Sequence, residues 1–160
     1  GTAGRWEDAV VHLRRFCSLL ETRALHDVLP MYRQLLGRAL CKLRRYDEAE
    51  PLARLGRELG DAQEVTATAY WRQVHALVDS GRGRHPRAEQ LAHEAVTLAE
   101  RHDSLNYQGD ALSDLGEVLH AAGRHSEARV ALGQALERYE RKHNLAVAAQ
   151  VQQRLAELRG

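Results

Sequence analysis

Apolar side chains along this chain recur every three to four residues in eight separate runs, with polar residues between them. That spacing lays one apolar stripe along an α-helix. Residues 5–21 carry Ala9, Val10, Leu13, Phe16, Cys17 and Leu20. Residues 27–44 carry Leu29, Tyr32, Leu36, Leu40 and Leu43, with Asp27 expected as N-cap and Pro30 tolerated in the first turn. Residues 47–60 carry Ala49, Leu52, Ala53, Leu55 and Leu59 and are expected to end at Gly60. Residues 63–80 carry Val65, Ala69, Tyr70, Val74, Leu77 and Val78, and residues 86–101, opening on Pro86, carry Ala88, Leu91, Ala92, Ala95 and Leu98. Residues 105–122 present Leu112, Leu115, Val118 and Leu119; residues 125–142 present Ala128, Leu132, Ala135, Leu136 and Tyr139. A last run, 145–159, presents Val147, Val151, Leu155 and Leu158. The links are short, which forces neighbouring helices antiparallel. The pattern predicts an all-α chain, roughly 70% helix or more.

A second pattern lies over the first. A turn followed by Ala appears at Gly4-Arg5-Trp6-Glu7-Asp8-Ala9, Arg45-Tyr46-Asp47-Glu48-Ala49, Gly83-Arg84-His85-Pro86-Arg87-Ala88 and Gly123-Arg124-His125-Ser126-Glu127-Ala128. The period is about 40 residues, the mark of stacked helical hairpins that bury their apolar faces only against one another. This divides the chain into the second helix of a truncated repeat (5–21), repeats at 27–60, 63–101 and 105–142, and a C-terminal capping helix at 145–159. The alanines are expected where the two helices of a hairpin approach closely. Helix 5–21 lacks a preceding partner, so its edge is expected to be sticky, and the chain is expected either to self-associate through it or to fray there.

Composition changes this picture little. Net charge is +1 and aromatics are 5%, which gives no electrostatic case for nucleic acid or an anionic membrane. No apolar run approaches the roughly 18 residues a bilayer span needs. Cys17 and Cys41 both fall on apolar stripes and read as buried free thiols, which fits a reducing cytoplasm. Gly81-Arg82-Gly83-Arg84-His85 is not a phosphate loop, because it lacks the Gly-Lys-Ser/Thr ending. Among nine histidines, Glu89 and His93 share a face and His120 and His125 flank one turn, but neither makes a three-ligand set. No cofactor and no catalytic group is expected, since neither cysteine has a sequence-marked base.

The residues Leu112, Leu115-Gly116, Leu119, Gly123, Ala128, Leu132 and Ala135 resemble a tetratricopeptide repeat, as do Leu36-Gly37, Leu40, Tyr46, Ala49, Ala53 and Gly56. A more degenerate unit runs through Tyr70, Val74, Leu77, Gly81, Ala88, Ala92 and Ala95. The stretch from Trp71 to Leu158 also resembles the C-terminal repeats of actinobacterial multidomain regulators, which join a switch ATPase to a cyclase or DNA-binding effector. The resemblance implies a right-handed α-solenoid whose first helices line a concave groove. By that register the lining would include Gln34, Arg38 and Lys42, then Trp71, Arg72, His75 and Asp79, then Asp110, Ser113, Asp114 and Glu117. One end of the groove is expected to be basic and the other acidic, with an exposed Trp71 between them. The implied function is a non-catalytic interaction and regulatory module of a larger signalling or transcription-regulating protein. Its expected partner is a peptide or a neighbouring domain of the parent chain. The alternative is a sensor whose small-molecule or peptide ligand alters the superhelix. A sensor is expected to have a closed apolar pocket near Trp71, and a scaffold an open trough.

Overall fold

A computed structural model describes residues 1–59 and 65–159. Eight helices follow in order: α1 Thr2–Thr22, α2 Leu29–Lys42, α3 Tyr46–Leu59, α4 Val65–Gly81, α5 His85–Ala99, α6 Leu105–Ala121, α7 His125–Arg141 and α8 Leu145–Arg159. They make 84% of the described residues helical, in line with the expected share, and no strand occurs among those residues. Each helix packs on the next, and α4 also packs between α2 and α6. The even-numbered helices therefore form one row and the odd-numbered helices a second layer against it, an all-α solenoid of antiparallel hairpins.

The helix ends repeat one device. Residues 24, 44, 83, 123 and 143 adopt positive φ. At each, the following backbone N–H reaches back five residues: Leu25 to Leu20, Arg45 to Leu40, Arg84 to Asp79, Arg124 to Leu119 and Asn144 to Tyr139, all at 2.8–2.9 Å. This is the 6→1 bond of a Schellman ending, which satisfies carbonyls the helix leaves open. Glycine takes the left-handed position at Gly83 and Gly123 without strain, whereas Arg44 (φ 59°) and His143 (φ 60°) hold it with a Cβ. Asp27 is not the cap of α2: the N-cap is Val28, with no side-chain bond, and Pro30 sits in the first turn. The expected cap Gly60 lies outside the described residues. α3 keeps Pro51 within it.

Small residues fill the contact between the layers. Ala49, Ala53, Ala88, Ala92, Ala95, Ala128 and Ala135 are 0–1% exposed. Gly116 on α6 stands so close to α7 that a Cβ there would lie 2.6 Å from Leu132 and 3.3 Å from the Ala128 carbonyl. Such spacing allows dense packing but no added volume. Leu40, Val74, Val78, Val118 and Leu119 complete a core that runs through α2, α4 and α6. A second cluster joins Leu112, Leu132 and Tyr139 to Val151 and Leu155, which seats α8 on α7. Three residues of the expected apolar stripes face solvent instead, Phe16 at 38%, Leu55 at 42% and Leu59 at 49%.

Ion pairs link successive repeats along the turn edge. Arg45 lies 3.5 Å from Glu7, Arg82 reaches Asp47 (2.7 Å) and Glu50, and Arg124 reaches Glu89. The acidic residue sits each time on the odd helix of one repeat and the arginine in the next turn. Such surface pairs add little stability singly but favour one register.

Candidate functional site: the concave face

The even-numbered helices present a shared inner face, and at its centre is Asp114, 1% exposed on α6. Its carboxylate accepts four hydrogen bonds: from Arg38 Nε (2.7 Å) and Nη2 (3.0 Å), from Lys42 Nζ (2.7 Å) and from Gln73 Nε2 (2.9 Å). Arg38 and Lys42 are one turn apart on α2, and Gln73 is on α4, so three helices meet on one side chain. Burial works against the Asp114 charge, but Arg38 and Lys42 outweigh it and hold the carboxyl well below the usual range. Burial likewise works against Arg38, and Asp114 and Asp110 outweigh it, which keeps its pKa well above the ordinary value.

One turn before Asp114, Asp110 extends the cluster. It lies 4.0 Å from Arg38, accepts from the Tyr139 hydroxyl on α7, and accepts from the Tyr70 hydroxyl at 3.4 Å. Burial and the Asp110 charge push both phenols up, so they stay protonated donors. One turn after Asp114, Glu117 takes a bidentate grip from Arg154 on α8, at 2.8 and 3.1 Å. Arg38 also lies over the Trp6 ring of α1, 5.8 Å from its centroid. Arg5 of α1 meets the Gln150 amide of α8, whose oxygen accepts from it. The first and last helices thus face each other across the inner face.

Between them is a cavity of about 360 Å³, lined by Trp6, Arg38, Lys42, Ser113, Glu117 and Arg154 among others. A neighbouring cavity of about 530 Å³ shares Lys42 and Glu117 and adds Arg44, Ser80 and His85. Together they form a trough along the inner face.

The sequence-derived groove residues divide into two groups. Arg38, Lys42, Asp110, Ser113 and Glu117 line the trough. Asp114 supports them from behind. The others lie elsewhere. Gln34 is 1% exposed and donates to the Leu52 carbonyl at 2.7 Å. Trp71 is 7% exposed, not an exposed anchor, and lines neither cavity; Gly56 of α3 presses against its Cβ. His75 packs edge-on to Trp71, with burial holding its pKa down, so it is neutral. Arg72 stacks on Trp71, 4.3 Å from the ring centroid, and pairs with Glu94 at 3.2 Å. Asp79 is 1% exposed; Arg84 donates to it at 2.7 Å, while Arg87 lies 3.3 Å away at an angle that falls short of a hydrogen bond.

The expected separation into a basic and an acidic end also gives way. Arg38 and Lys42 neutralise Asp114, and Arg154 neutralises Glu117, because curvature brings α2 within side-chain reach of α6. The contributions of Trp6, Gln73, Tyr139 and Arg154 were not visible in the sequence. Only the position of Tyr139 on an apolar stripe marked it, and it marked it as core. Cys41 is buried, and burial pushes its thiol up to about 12, so it is no nucleophile at neutral pH. No group of three or more metal-ligating side chains occurs among the described residues, and no described helix is long and apolar enough to cross a membrane.

A family model described as "Tetratricopeptide repeat" matches residues 65–141. Among solved structures, the chain is similar to BtubC (BKLC) from P. vanneervenii, with 19% identity and a TM-score of 0.64. That alignment covers 96% of this chain and 65% of the other, and it shows the shared fold. No curated protein matches the chain.

Proposed function

We propose, from the match of residues 65–141 to the tetratricopeptide repeat model, that this chain is a non-catalytic interaction and regulatory module which holds a protein segment against its concave face. Repeats of this family mediate protein–protein interactions. The observation that carries the reading is the trough itself: two adjoining cavities along the inner face, walled by fixed polar side chains. Because Asp114 and Arg154 already hold the neighbouring charges, the wall offers directional hydrogen bonding more than net charge. Lys42 spends one donor on Asp114, and Ser113 stands at the wall. The partner we favour is an extended segment, from another domain of a larger cytoplasmic regulator or from a separate protein.

Peptides selected from a random display library against the intact chain test this. Their affinity is expected to fall about tenfold or more when Ser113→Arg fills the trough, a loss of ~1.4 kcal/mol or more. It is expected to hold when Gln134→Arg alters the exposed face of α7. Equal effects of the two substitutions would move the site off this face.

The other reading, a ligand sensor, is the weaker one: Trp71, beside which its closed apolar pocket was expected, lines neither cavity, and only the size of the inner cavity, about 360 Å³, falls within the range of small-molecule sites. The edge of α1 supports a third contact. Phe16, Leu19, Leu25 and Val28 are 38–51% exposed there, whereas Val10, Cys17 and Leu20 are covered. Self-association through this edge is the reading, and light scattering at rising concentration is expected to show it. Leu19→Ser with Leu25→Ser should abolish it; an unchanged mass over the range would exclude it.

A further inference from the structure

We propose that the turn between α6 and α7 is a two-histidine chelating site for a divalent transition metal, with copper(II) preferred. His120 lies in the last turn of α6 and His125 opens α7. Their Nδ1 atoms stand 2.9 Å apart, with ring centroids at 4.8 Å. The backbone that presents them is rigid: Gly123 holds φ +82°, Arg124 N–H bonds Leu119 O at 2.9 Å, and Gly123 N–H bonds His120 O at 2.9 Å. Val118, Leu119 and Ala128, each 0–2% exposed, anchor both sides of the turn.

Two neutral imidazoles meeting Nδ1 to Nδ1 share a single proton, with one ring donating and the other accepting. A metal ion in place of that proton uses both lone pairs. Imidazole nitrogen binds such ions at about 2.0–2.1 Å. Two ligands at a right angle on a tetragonal ion are then about 2.8–3.0 Å apart, and on a tetrahedral ion about 3.3–3.4 Å. The observed spacing fits the tetragonal geometry of copper(II) and nickel(II), and copper stands highest in the order of affinities. In the proposed site each ring turns about χ2 to aim its lone pair at the ion, and both rings reach solvent. The nearby cation, Arg124, is neutralised by Glu89 and Glu127. Glu117, one turn before His120, is held by Arg154. The site therefore supplies two nitrogens, and water or a partner's group completes the shell.

Copper(II) chloride is the probe. Electron paramagnetic resonance of the intact chain with one equivalent is expected to show coupling to two nitrogens. Calorimetry is expected to show affinity falling roughly tenfold or more in His120→Ala and in His125→Ala, and no further in the double variant, because chelation needs both rings. Circular dichroism should be unchanged, since both side chains are on the surface. Affinity within about twofold of wild type in the double variant, or the same nitrogen pattern there, would overturn the site.

Discussion

Asp114→Ala is expected to destabilise the protein by about 3–5 kcal/mol, measured by urea denaturation. The substitution removes the acceptor of four hydrogen bonds, leaving Lys42 without its counter-ion and Arg38 with only Asp110, 4.0 Å away. Arg38 is 11% exposed and Lys42 18%, so water recovers little of the loss. Losing one partner of a buried ion pair costs more than the pair is worth, because the remaining charge stays desolvated. The same cluster sets a pH dependence. Asp114 has its pKa lowered by folding, so its contribution is present above the unfolded value of about 3.9. It is lost as pH falls through the lower folded value. Wild type should therefore lose stability more steeply than Asp114→Ala below about pH 4.

Ala128→Leu is expected to cost about 1–3 kcal/mol by overpacking. Ala128 is fully buried on α7, and its carbonyl is the backbone a Cβ on Gly116 would approach at 3.3 Å. The added methylenes have no cavity to enter unless α6 and α7 separate. That separation would also strain the Gly123 turn and the Tyr139–Asp110 bond. A thermal midpoint equal to that of wild type would mean that the two helices are not in the contact described.

Helix identity was legible because each run has one unbroken apolar stripe, as in α6 and α7, where the expected and observed spans agree to within a residue. The alanine positions were legible because their spacing reflects a contact repeated in every hairpin. Helix ends were read less well where the chain breaks the usual residue choice. Arg44 and His143 hold left-handed turns that a reader expects of glycine, and Asp27 looks like a cap but lies before the N-cap Val28. The groove was half legible. Register shows which face of α2 carries Arg38 and Lys42 and which face of α6 carries Asp114. It does not show the curvature that brings them together across α4, so charges that looked available to a partner are satisfied within the chain. Trp71 misled for a related reason: α3 covers it through the close approach of Gly56.

The Asp114 cluster ties the inner face together from α2 to α6. A double-mutant cycle on Arg38→Met and Asp114→Asn measures that tie directly by urea denaturation. A coupling energy of about 1–3 kcal/mol is expected between these residues, 76 positions apart in the chain. Costs that add to within about 0.5 kcal/mol would contradict it, since independent sites behave that way.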